Sequence, residues 1–89
     1  MARLPEKIEP EVCEFLDPED NILTIEIVLP GVAKENIQLK VNTSSLLLFA
    51  STDDINYAKY LSFIHPVVPD KGHAFFEHDL LRIKIPLRA

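Results

Sequence analysis

Three histidines, one cysteine and a scatter of carboxylates and hydroxyls are the side chains of this chain that could do chemistry. His73, Glu77 and His78 come nearest to a metal-ligand group. In an extended strand His73 and Glu77 point to one side and His78 to the other, and no second ligand cluster joins them. These histidines, with His65, therefore read as turn and surface residues. Cys13 has no partner for an internal disulfide. Glu11 and Glu14 flank it where a reactive thiolate needs cationic neighbours, so core or half-buried packing is expected. Ser44, Ser45, Ser51 and Ser62 lack the G-x-S-x-G setting of a nucleophile elbow. The pairs Glu19-Asp20 and Asp53-Asp54 fall in loops. The chain has two glycines, neither in a phosphate-binding loop. Asn42-Thr43-Ser44 matches a glycosylation sequon, which matters only in a secreted chain. The expectation is a protein that is not an enzyme, with no metal and no cofactor.

Eighty-nine residues make one small domain, which buries only about 60–65% of its unfolded surface. The net charge is −5, unevenly placed: residues 1–36 hold nine acids and three bases, and residues 37–89 hold five acids and six bases. An acidic first part and no basic patch with interleaved aromatics argue against nucleic acid. No apolar run approaches the roughly 18 residues of a membrane span. Acidic residues follow Met1-Ala2-Arg3-Leu4-Pro5 before any signal core could form. A cytoplasmic location is expected.

The elements that must position any site read as strands. In Asn21–Gly31, Leu23, Ile25, Ile27 and Leu29 share one apolar face that has to be buried. Ile37, Leu39 and Val41 alternate with Gln38, Lys40 and Asn42. Leu46–Ser51 is apolar on both faces and is expected to be central or doubly covered. Leu81, Ile83, Ile85 and Leu87 point inward, Arg82 and Lys84 outward. Residues 11–15, Tyr57–Ile64 and residues 74–79 complete the set. Turn residues punctuate at Asp17–Asn21, Asn42–Ser45, Thr52–Asp54 and Pro69–Gly72. Strands with turns at this spacing imply a β-sandwich or a barrel. Leu29-Pro30-Gly31-Val32 looks like a device for leaving one sheet and entering the next. Proline cannot donate to a ladder, and glycine opens backbone conformations closed to most residues.

Leu29-Pro30-Gly31-Val32, the Lys34-Glu35-Asn36-Ile37 turn, Leu39, Val41 and Leu46-x-Leu48 resemble the middle of the α-crystallin domain of small heat-shock proteins. Ala74-x-x-x-His78-Asp79-Leu80-Leu81-x-Ile83-x-Ile85-Pro86 is similar to that family's A-x-x-x-N-G-V-L-x-I-x-I-P. Phe63, Pro66 and Asp70 fall where the family has an aromatic-rich strand and a proline-marked loop. The resemblance implies an all-β, immunoglobulin-like antiparallel β-sandwich of about seven to eight strands. The expected layout is a short N-terminal arm over residues 1–8, an α-crystallin-like sandwich domain over residues 9–87, and residues 88–89 beyond it.

Departures from the family pattern are equally specific. His78-Asp79 stands for Asn-Gly, so an altered or strained hairpin turn is expected. Microbial members carry a long excursion with a strand that crosses to a second subunit. Here six residues, Ser51–Asn56, occupy that place, and six extended residues reach about 20 Å at most. The family's long N-terminal arm is about eight residues here. The Ile83-Lys84-Ile85 match to its tail motif lies inside the predicted final strand.

The resemblance implies an ATP-independent molecular chaperone (holdase) of the stress response. It would bind partly unfolded clients through apolar strand edges, with burial worth about 25 cal/mol per Å². The family's groove between its fourth and eighth strands maps by position onto Ile37–Asn42 and His73–Glu77. Leu39, Val41, Phe75 and Phe76 are its candidate contacts, with strand addition supplying main-chain pairing. The implied partners are unfolded or partly folded proteins, and a homodimer is allowed. The alternative is a co-chaperone-like adaptor of the CS type on the same fold, docking one defined protein partner.

Overall fold

Along the chain, alternation of apolar and polar residues is converted into eight strands. They are β1 (Glu6–Ile8), β2 (Val12–Asp17), β3 (Ile22–Val28), β4 (Ile37–Val41), β5 (Ser45–Ser51), β6 (Ile55–Ser62), β7 (His73–Glu77) and β8 (Leu80–Pro86). Short 3-10 turns at Lys34–Asn36 and Pro69–Lys71 lie between them. The computed structural model describes residues 6–88. The strands form two four-stranded sheets, in the orders β1-β6-β5-β4 and β2-β3-β8-β7. All pairings are antiparallel except that of β1 with β6. This is the all-β sandwich read from the sequence.

The core lies between the sheets because each strand turns one apolar row inward. Leu46, Leu48, Ala50 and Tyr57 come from one sheet, and Ile25, Ile27, Leu81, Ile83 and Ile85 from the other. Leu29, Val32 and Val67 close the ends of this layer. Ile25, Ile27 and Leu29 are fully buried, as the face they share requires. No buried side-chain polar atom among the described residues lacks a hydrogen-bond partner, so the interior carries no polar penalty of the kind that unpaired groups impose.

Turn chemistry connects the sheets. The Val32 N–H donates to the Leu29 carbonyl at 3.3 Å, and Gly31 has φ +74°. Pro30 and Gly31 thus occupy the two central positions of a type II turn, where each residue type is favoured. The turn carries the chain from β3 in one sheet to β4 in the other. At the β4–β5 connection the Asn42 Oδ1 accepts from the Ser44 and Ser45 backbone N–H groups at 2.9 and 2.8 Å. At β5–β6 the Thr52 hydroxyl accepts from the N–H groups of Asp54 and Ile55 at 3.2 and 3.0 Å. The excursion expected to be short is therefore a tight hairpin turn.

Several expectations are corrected. Leu46–Ser51 falls in β5 (Ser45–Ser51), which is central, one of the two expected placements, and is covered on its inner face only. Phe49, on its outer face, is 48% exposed. The strand expected over Tyr57–Ile64 runs from Ile55 to Ser62, which leaves Ile64 92% exposed. Cys13, expected in core or half-buried packing, is exposed. Its register partner is Glu26 of β3, so on β2 it faces the same way as the outward row of β3 rather than the buried one. Residues 6–8, within the segment read as an arm, form β1, and its remaining residues lie outside the described ones. The chain then crosses to the other sheet through buried Pro10, and the Glu9 carboxylate meets Lys59 Nζ at 3.0 Å.

Candidate peptide-binding edges

Strand β4 ends one sheet and β7 ends the other. Their free edges can be assigned from the hairpins. The Asn42 N–H donates to the Ser45 carbonyl at 2.9 Å, making these two a hydrogen-bonded pair. Such pairs alternate with non-bonded ones along an antiparallel ladder. Gln38 and Lys40 therefore bond to β5, and the backbone groups of Leu39 and Val41 face the open margin. At the β7–β8 turn, His78 and Asp79 have φ +51° and +65°, the two positive values of a type I′ hairpin. Glu77 and Leu80 are then the bonded pair, and the free backbone groups on β7 belong to Ala74 and Phe76.

The margins meet over an apolar groove. Leu39 and Val41 form one wall, Ala74 with His73 the other, and Ile83 and Ile85 the floor. Pro69 and Gly72 close one end. A Cβ added to Gly72 would sit 3.2 Å from the Pro69 carbonyl oxygen and 3.3 Å from Ile85 Cγ1, so glycine lets this turn lie against β8. The arrangement offers unpaired N–H and C=O groups beside apolar side chains, which is what an added strand uses.

Of the four candidate contacts, Leu39 and Val41 line this groove. Phe76 packs half-buried against the core. Phe75 pairs with Arg82 on the outer face of its sheet, where it is 61% exposed, and does not enter the groove. Pro69 and Gly72 were legible only as turn punctuation. Nothing in their spacing says that the turn folds back to wall a groove.

The remaining motif residues take structural places. Leu29 and Val32 are buried core, Pro30 and Gly31 make the turn described above, and Leu81, Ile83 and Ile85 are the inward row of β8, which Pro86 ends. His78 Nδ1 stands 3.6 Å from Glu77 Oε1, both side chains largely exposed. Among the described residues no three His, Cys, Asp or Glu side chains are grouped to hold a metal ion. No helix there is long and apolar enough to cross a membrane.

No family model and no curated protein matches the sequence. Solved structures do match the fold. Heat shock protein 16.0 from Schizosaccharomyces pombe superposes with a TM-score of 0.77 at 17% identity, over 90% of this chain and 87% of that one. The Del-C4 mutant of hsp14.1 from Sulfolobus solfatataricus P2 gives 0.78 at 19% identity, over 94% and 79%. A small heat-shock protein from Xylella fastidiosa gives 0.75 at 19% identity, over 90% and 86%. The architecture is that of an α-crystallin domain, the fold the sequence motifs imply.

Proposed function

We propose that this chain is an ATP-independent chaperone of the small heat-shock protein type. It is a holdase that captures partly unfolded proteins in the cytoplasm under stress. The reading is supported by one observation above all: in a fold shared with heat-shock proteins, two free strand margins border an apolar groove. Leu39 and Val41 contribute both the unpaired backbone groups and the side chains. A client segment would add as a strand to β4 and bury its alternate side chains against Leu39 and Val41, above the Ile83 and Ile85 floor. Binding by burial and main-chain pairing needs no nucleotide.

Light scattering from a heat-aggregating client protein tests this reading. Aggregation should fall at equimolar protein, and Leu39→Asp should abolish the effect while leaving a cooperative thermal transition. Undiminished aggregation with the unmodified protein would reject the holdase.

The tight β5–β6 turn favours a second reading, a CS-type adaptor that docks one defined partner. A strand that must cross to another subunit has no chain to be made from at that turn. Size-exclusion chromatography with light scattering separates the two. A multi-subunit assembly favours the holdase and a 10.1 kDa species the adaptor.

A further inference from the structure

The sheet β1-β6-β5-β4 has an outer face, turned away from the groove though it shares strand β4 with it, whose charge pattern differs from that of the opposite face. Its register sets three successive rungs. Lys7, Asn56 and Ser51 form one, Ala58, Phe49 and Gln38 the next, and Tyr60, Leu47 and Lys40 the third. An outward sheet face ordinarily alternates to polar residues. Here the two central strands present Phe49, Ala58, Leu47 and Tyr60 on adjoining rungs. Phe49 is 48% and Tyr60 62% exposed.

The charges set this face apart. No acid occurs on these rungs, in a chain of net charge −5. Lys7 and Lys40 stand at opposite edges of the sheet, one at each end of the strip. The outer face of the other sheet also exposes Phe15 and Phe75, but there Asp17, Glu26 and Glu77 are mixed with Arg82 and Lys84. A trough of about 420 Å³ runs over Phe49 and Ala58, with Lys7 on one side and Asn36 and Gln38 on the other. Three strand spacings of about 4.8 Å and four residues of about 3.4 Å place the backbones of Lys7 and Lys40 roughly 20 Å apart.

The geometry points to this face as the docking site for an acidic amphipathic protein segment. The segment has an apolar centre of about six extended residues, with carboxylates at both ends. Its aromatic or aliphatic side chains cover Phe49 and Ala58, and its terminal acids pair with Lys7 and Lys40. Exposed aromatics ringed by polar groups are the usual material of such contacts. Lysines at the rim steer the partner and set its direction. This site lies beyond the groove of the preceding section and does not depend on it.

Fluorescence anisotropy of the full chain with a labelled octapeptide tests the assignment. The probe has six apolar residues including phenylalanine, flanked by one glutamate at each end. A control peptide replaces the glutamates with lysines. The glutamate peptide should bind at least about tenfold more tightly, with an affinity that falls as salt rises. Phe49→Ala should weaken it about tenfold. Lys7→Glu combined with Lys40→Glu should do the same and reverse the preference between the peptides. Leu39→Asp, in the groove, should leave binding unchanged, which keeps this test apart from that of the holdase. Equal binding of the two peptides, no binding, or indifference to both sets of face variants would overturn the assignment. So would a salt-sensitive dimer lost in the double lysine variant, which would make the occupant a second copy of the chain.

Discussion

The Asp79 carboxylate accepts a hydrogen bond from the backbone N–H of Gly31 at 3.3 Å, across 48 positions of sequence. The Asp79 carbonyl also accepts from the Leu29 N–H at 2.7 Å. The hairpin turn between β7 and β8 thereby clamps the turn through which β3 leaves its sheet. Asp79 is held at φ +65° to do so, a conformation that non-glycine residues adopt at some cost. Replacement by glycine relieves that conformation while deleting the carboxylate, and replacement by alanine loses both advantages. Asp79→Gly should therefore stay within about 0.5 kcal/mol of the parent, and Asp79→Ala should lose about 1–2 kcal/mol. Urea denaturation followed by circular dichroism measures both.

The two glycines are needed for different reasons. Around Gly31 a Cβ would meet nothing nearer than Thr52 Cγ2 at 3.8 Å, so the constraint there is its positive φ. Gly31→Ala should cost about 1 kcal/mol through backbone strain alone. Gly72 has an ordinary φ of −80° and lacks room. Gly72→Ala should shift the Pro69–Lys71 turn away from Ile85 and widen the groove, a change visible as amide shifts on β4, β7 and β8 by NMR.

Leu48, fully buried, faces the opposing sheet at the centre of the core. Leu48→Ala should cost about 2–5 kcal/mol, against about 5–15 kcal/mol for a whole domain. Thermal unfolding should show a large fall in Tm, with the transition remaining cooperative.

On the outer face of β3 and β8, Arg82 Nε meets Glu26 Oε2 at 2.8 Å. The two are register partners, but Arg82 is 48% exposed on its side chain. A double-mutant cycle with Glu26→Gln and Arg82→Gln should return a coupling below about 1 kcal/mol, shrinking further as salt is added.

Cys13 lies on an edge strand and faces outward. It should react completely with a thiol reagent in the native protein, without denaturant. Cys13→Ser should change stability by less than about 0.5 kcal/mol, as surface substitutions do.

The inward rows of β3 and β8 were legible because their alternation is strict, and Pro30-Gly31 was legible as a turn because both residues have unambiguous backbone preferences. Cys13 was misplaced because the acids and apolar residues of β2 do not alternate cleanly, so its inward row could not be told from its outward one. Phe75 was misassigned for a related reason: Phe75-Phe76 puts an aromatic on each face, and only the hairpin register decides which one enters the interior. The β1–β6 pairing joins residues far apart in sequence through a three-residue strand, too short for any periodicity to register. The groove itself was half visible. Its Leu39–Val41 wall follows from alternation, and its Pro69–Gly72 end depends on how a turn packs in three dimensions.

Strand β8 follows the other seven along the chain, yet it lies inside its sheet, between β3 and β7. Its Leu81, Ile83 and Ile85 supply much of that sheet's buried surface. On a ribosome, β3, paired with β2 on one side, must wait with its other side open until β8 has left the exit tunnel. Every nascent copy thus passes through an interval of exposed, sticky strands before its second sheet can close.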